Sequence, residues 1–118
     1  MRQVRFFLLL YALMMFCNAT SAMSLREFHG LEKIKHQGMN YANYYLVGVM
    51  EGAIEADAHA VREGSSPRVC LNGRHLEPGA ARQLFDAEIR RNKDLYEADM
   101  PVQLVMFNAL ASIYSCSP

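Results

Sequence analysis

Apolar residues are distributed along the chain as one short unbroken run followed by stretches of helical period. The run is 6–16 (FFLLLYALMMF). Beyond it, Ser24-Leu25-Arg26-Glu27 has the S-x-x-E form of a capping box, in which a hydroxyl and a carboxylate satisfy the free amides at a helix start. A helix is expected from Ser24, fading near Gln37-Gly38 with the glycine in the left-handed conformation just past the end. A second helix is expected from about Asn40 to Glu63, stopped by Gly64. Glu51, Glu55 and His59 recur along it at four-residue spacing as a solvated stripe. The segment 64–76 (GSSPRVCLNGRHL) reads as a loop with turns at Ser65-Ser66-Pro67 and Asn72-Gly73. Pro78 opens a third helix. Its apolar face is Ala81, Leu84, Phe85 and Ile89, with Arg82, Asp86 and Arg90 opposite and Asp86–Arg90 at pairing distance along the helix.

A polar connection, 93–100, leads to Pro101 and a last helix over 102–114 that is apolar almost all round and so is expected to be central. Gln103, Asn108 and Ser112 are its polar exceptions, and Asn108 and Ser112, one turn apart, read as a satisfied buried contact. No stretch alternates with period two, so no strand is expected. The expected fold is all-α: a small compact bundle of about four helices.

Gly48, Gly52, Ala56 and Ala60 form a second four-residue stripe on the long helix. A glycine inside a helix costs about 1 kcal/mol relative to alanine. Close approach of another helix would offset that, either inside the monomer or as a homodimer seam. The membrane form of the motif is excluded by the acidic residues that interrupt the segment.

The N-terminal run changes how the remainder is counted. Arg2 and Arg5 precede it, it is too short for the roughly 20 residues that span a bilayer, and Asn18-Ala19-Thr20-Ser21-Ala22 follows with small residues suited to a peptidase. This is the form of a signal peptide over 1–22, cleaved after Ala22 or Ser21; the alternative is a retained N-terminal anchor. Met14-Met15-Phe16 before Cys17 is not a lipobox. Cleavage removes two arginines and one cysteine. Ten basic and twelve acidic residues remain, a net charge of −2, with no block of like charges to attract nucleic acid or an anionic membrane. Cys70 and Cys116 are the cysteines left, and in an oxidising compartment two cysteines read as one disulfide. Closing a loop of about 47 residues contributes roughly 4 kcal/mol to a domain of about 96 residues, 23–118.

No catalytic constellation is apparent. His29, His36, His59 and His75 lack metal-ligand spacing with the cysteines, and there is no phosphate loop, G-x-S-x-G or H-E-x-x-H. No metal or cofactor is expected, and the chain reads as a non-enzyme. Methionines outside the leader are scattered and read as core filler.

Tyr45-Leu46-Val47-Gly48-Val49-Met50-Glu51-Gly52 resembles the Y-L-x-G-v-x-x-G segment of the Rap/Tai-type immunity proteins of type VI secretion. Cys70 has the position of the family's loop cysteine. Against its closing pattern P-a-x-x-l-v-x-x-A-l-x-x-x-y-x-C this chain offers Pro101, Leu104, Val105, Ala109, Leu110, Tyr114 and Cys116, with Leu104 and Val105 one place ahead of the pattern's l-v. The resemblance covers 41–116. Many members carry a further cysteine pair, one of them just before the Y-x-G segment, where this chain has Tyr44 and Tyr45. The resemblance implies a small all-α periplasmic protein, often dimeric, that binds and blocks a secreted toxin, commonly a peptidoglycan amidase. Periplasmic acid-stress chaperones have a similar architecture, so the fold by itself leaves both functions open. Binding residues do not transfer, because each immunity protein is matched to its own toxin. The candidate partner-binding residues here are Arg68, Asn72, Arg74 and His75, on a loop that a disulfide would pin.

The leader makes the first prediction. N-terminal sequencing of exported protein is expected to begin at or next to Met23; an intact leader on a membrane-bound product would establish the anchor instead.

Overall fold

The computed structural model describes residues 1–14 and 22–117. It is all-helical, with helices α1 (Arg2–Met14), α2 (Leu25–Glu32), α3 (Gly38–Arg62), α4 (Ala80–Arg91) and α5 (Val102–Ile113). Among the described residues there are five helices rather than about four, because the N-terminal run is itself helical. Phe6, Phe7, Leu8 and Leu9 of α1 are exposed. Among the described residues no helix is long and apolar enough to cross a membrane. Cys17 and the small residues before Ala22 lie outside the described residues.

The capping box forms as the sequence suggests. Ser24 N–H donates to Glu27 Oε2 at 2.7 Å and Glu27 N–H to Ser24 Oγ at 3.2 Å. These bonds, the Ser24 amide foremost, hold the Glu27 carboxyl below its usual range. This corner is tied to the start of α5. Leu25 N–H donates to the Met100 carbonyl at 2.9 Å, Arg26 N–H to Ala98 at 2.8 Å and Val102 N–H to Met23 at 3.0 Å.

The α2–α3 junction departs from expectation. α2 ends at Glu32 and α3 begins at Gly38, earlier than Asn40. The left-handed residue is His36, at φ 73°. Gly38 is buried at the first position of α3, and a Cβ there would run into the Leu31 carbonyl oxygen and lie 3.1 Å from the Ile34 Cβ. The glycine is therefore required for close approach of two backbones, not for a positive φ. At the other end of α3 the reading holds. Gly64 has φ 100°, Ser65 N–H donates to the Ala60 carbonyl and Gly64 N–H to Val61, the two bonds of a Schellman cap.

α5 supplies the centre of the core. Val102, Val105, Met106, Ala109 and Leu110 are buried in one cluster with Leu46 and Met50 of α3, Leu84 and Phe85 of α4, and Leu25 and Phe28 of α2. Phe28 and Phe85 rings meet at 5.0 Å between centroids, within the range where aromatic pairs gain beyond simple burial. α5 is not covered on every side, however: Leu104 and Ile113 are exposed. α4 begins at Ala80, because Pro78-Gly79 forms the turn before it. Arg82 does not face solvent. Its guanidinium donates to Asn43 Oδ1 at 2.8 Å and Glu32 Oε2 at 3.1 Å and lies over the Phe28 ring, joining α2, α3 and α4. Asp86 accordingly pairs back to Arg82, at 3.4 Å, rather than forward to Arg90.

Gly38→Ala is expected to destabilise the protein by about 1–3 kcal/mol, because the obstructing atom is backbone and cannot rotate away. A melting midpoint equal to that of the wild type would show that the α2–α3 turn yields freely.

Candidate functional site

The loop 64–76 is held at both ends of its first half. Asp57, on α3, is only 8% exposed, and its carboxylate accepts from the Arg68 amide at 3.1 and 3.2 Å and from the Val69 amide at 3.1 Å. The next residue, Cys70, donates its N–H to the Tyr114 carbonyl at 2.7 Å and is bonded to Cys116. Three consecutive amides are thus satisfied by α3 and by the segment after α5. The second half folds on itself. Asn72 (φ 52°) and Gly73 (φ 77°) are both left-handed, and Arg74 N–H closes the turn on the Leu71 carbonyl at 3.0 Å, the pattern of a type I′ turn.

Of the four candidate binding residues, all are exposed, but they do not form one patch. The Arg68 guanidinium lies 4.4 Å from the centre of the Phe107 ring, towards α5. Arg74 and His75 border a different hollow of about 230 Å³, with Met50, Ile54, Leu71 and Leu76 at its base and Glu51 and Glu55 on its flank. Asn72 has its backbone committed to the turn. Glu55 is in turn paired with Arg62 at 2.6 Å, and that hydrogen bond holds its carboxyl below the usual range.

The small-residue stripe lies elsewhere again. Gly48 and Gly52 are exposed, and a Cβ built on either meets nothing within 4 Å. Among the described residues no helix is in close contact with these two positions. Instead they floor a groove of about 530 Å³ between α3 and α5, with Ala56, Tyr44, Tyr45, Gln103 and Phe107 around it. Ala60 does not line it. Steps of four residues advance about 40° around a helix of 3.6 residues per turn, so the stripe winds off the face by its fourth member. Gln103 donates to the Tyr45 hydroxyl at 2.9 Å, while its Oε1 is buried with no hydrogen-bond partner among the described residues.

Two buried carboxylates escaped the sequence reading. One is Asp57. The other is Glu88, 2% exposed, which accepts from Arg91 at 2.8 Å, Asn92 at 2.8 Å and the Tyr96 hydroxyl at 2.7 Å. Asn108 donates to the same hydroxyl at 3.0 Å, so its contact is with Tyr96 and not with Ser112, which is exposed. Burial, followed by the bond to Glu88, raises the Tyr96 phenol above its ordinary value. A signal for both acids was present: Glu88 continues the phase of Ala81, Leu84 and Phe85, and Asp57 lies seven residues beyond Met50. Charged residues in phase with an apolar face are the ones that must find partners inside.

Among the described residues no group of three or more His, Cys, Asp or Glu side chains is placed to hold a metal ion. Comparison with models of protein families, with curated proteins and with solved structures finds no match.

Asp57→Ala leaves the Arg68 and Val69 amides without their acceptor, at a cost of about 1–3 kcal/mol. Amide hydrogen exchange is expected to accelerate at Arg68 and Val69 while α5 retains its protection; unchanged exchange at both amides would mean the carboxylate does not hold the loop.

Proposed function

We propose that the chain is an exported periplasmic immunity protein that binds a secreted cell-wall-degrading toxin, of the peptidoglycan amidase type, and blocks its cleft. The observation that carries this reading is the loop 64–76: a surface segment pinned by Asp57, by the Cys70 amide and by the Cys70–Cys116 bridge. Ordering a floppy segment on binding subtracts roughly 0.5–1.5 kcal/mol per immobilised side chain, so a loop ordered in advance is suited to tight stoichiometric inhibition. The Y-L-x-G and closing P…C patterns support the same reading. The apolar helical N-terminus with Arg2 and Arg5 supports export.

The arrangement makes Arg74 and His75 the leading recognition residues. They flank a hollow with an apolar base, whereas Arg68 is occupied in stacking on Phe107. A second reading, a periplasmic acid-stress chaperone, rests on the open apolar groove between α3 and α5, a surface able to hold unfolded chains.

Reversing Arg68 and Arg74 together to glutamate is expected to weaken toxin binding at least about tenfold. Stability should fall only by the lost cation–π contact, about 0.5–1 kcal/mol. Co-expression in the periplasm with any cell-wall hydrolase found encoded beside this chain, scored by lysis, is the test. Full protection by the doubly reversed variant would remove the loop as the recognition surface. No protection by the wild type, with suppression of acid-induced aggregation, would establish the chaperone reading.

A further inference from the structure

We propose that the groove between α3 and α5 is a binding site for an amphiphilic anion, a single alkyl chain ending in a carboxylate, with Arg68 holding the head group. The groove has a volume of about 530 Å³, inside the roughly 300–1,000 Å³ of small-molecule sites. It runs along α3 from Tyr44 to Ala56, a helix length of about 18 Å. Its floor is open: a Cβ built on Gly48 or Gly52 meets nothing within 4 Å, so no side chain of the same chain occupies the space. Val49, Ala53 and Phe107 add apolar walls.

The wall chemistry selects an alkyl chain. The polar side chains of the lining are Gln103 and the two tyrosines, and Gln103 already donates to the Tyr45 hydroxyl while its Oε1 is buried out of reach. A peptide backbone laid in the groove would bring amides and carbonyls that need partners once they lose water. Methylenes need none, and their burial is favourable in proportion to the area removed from water.

The charge sits at one end. Next to Ala56, the Asp57 carboxylate holds the Arg68 amide, and the Arg68 guanidinium lies 4.4 Å from the centre of the Phe107 ring. That carboxylate is committed to the Arg68 and Val69 amides. The Arg68 side chain is exposed and enters none of the ion pairs among the described residues. Stacking uses the face of the guanidinium and leaves its N–H edge free, the edge that takes a carboxylate through two parallel hydrogen bonds. The lining at the Tyr44 end carries no cation. The head group therefore lies on Arg68, the chain along Gly52 and Gly48, and the tail towards Tyr44. This inference does not rest on the proposed function, because Arg74 and His75 border a separate hollow on the flank of α3.

Titration of the full chain, as processed by an exporting host, with dodecanoate below its micellar concentration is the test. Saturation at equimolar dodecanoate is expected, with NMR shifts at the Gly48 and Gly52 amides and at the Arg68 side-chain Nε–H. Dodecanol should bind about fivefold more weakly, the worth of an exposed ion pair, and dodecylammonium more weakly again. Arg68→Gln should erase the preference for dodecanoate over dodecanol. Gly52→Leu should weaken both about tenfold or more by filling the floor, yet keep or raise the melting midpoint, because the space above Gly52 is open within one chain. No saturable shift at Gly48 and Gly52, or equal affinity for the three amphiphiles, would overturn the proposal. So would displacement of dodecanoate by an apolar peptide, or its exclusion by self-association as protein concentration rises.

Discussion

Burial of one side of α5 is the constraint on which the remaining structure depends. Val102, Val105, Met106, Ala109 and Leu110 are all fully buried, and each of α2, α3 and α4 contributes side chains to the same cluster. A chain this short has little apolar surface to spare, so every helix must present its apolar stripe to this centre. Their ends must then be tied where the chain turns. The N-terminal segment around Met23–Arg26 reaches α5 through three backbone hydrogen bonds. The segment after α5 reaches the long loop through the Tyr114 carbonyl and Cys116. Both ends of the central helix are thereby fastened to distant parts of the chain.

The polar interior serves the connections rather than the helices. Asp57 and Glu88 are buried carboxylates, which are costly unless hydrogen-bonded. Asp57 has amides of the 64–76 loop as partners, and Glu88 has the end of α4 and Tyr96 of the 92–101 connection. Each converts an irregular segment into a defined one. Arg82 does the same between helices, reaching Glu32 and Asn43 while covering the Phe28 ring. These three residues explain how a bundle with long connections holds fixed surfaces.

Two of those surfaces differ in kind. The loop with Arg74 and His75 is polar at its edge, apolar at its base and held in place. The α3–α5 groove is mostly apolar, with Gln103 and the Tyr45 hydroxyl as its polar groups, and Gly48 and Gly52 on its floor have no side chains to fill it. Glycine at positions 48 and 52 lowers helix propensity without relieving any contact within the chain, a local inconsistency of the sort expected at a functional surface rather than in a core. A polar ordered loop and an apolar open groove suit different occupants, and α3 separates them by carrying one on its flank and the other on its outward face.

Much of the fold was legible in residue order. The Ser24–Glu27 box, the Gly64 stop, the apolar face of α4 and the identity of the innermost helix follow from spacing alone, because capping and amphipathic period are local properties. The Cys70–Cys116 pairing followed from counting once the leader was set aside. What depended on neighbours distant in sequence was decided only by the tertiary structure. Gly38 looked like a helix end, and its true role is set by the Leu31 backbone against it. Arg82 looked solvated, and its partners come from α2 and α3. The glycine stripe read as a close helix contact, either within the chain or at a homodimer seam, and α5 passes beside it without covering it. Arg68, Asn72, Arg74 and His75 are close in sequence, yet the turn at Asn72-Gly73 and the stacking on Phe107 send them to different sides. Periodicity tells which face of a helix is apolar; which neighbour meets that face, and which part of it stays open, is a property of the assembled packing.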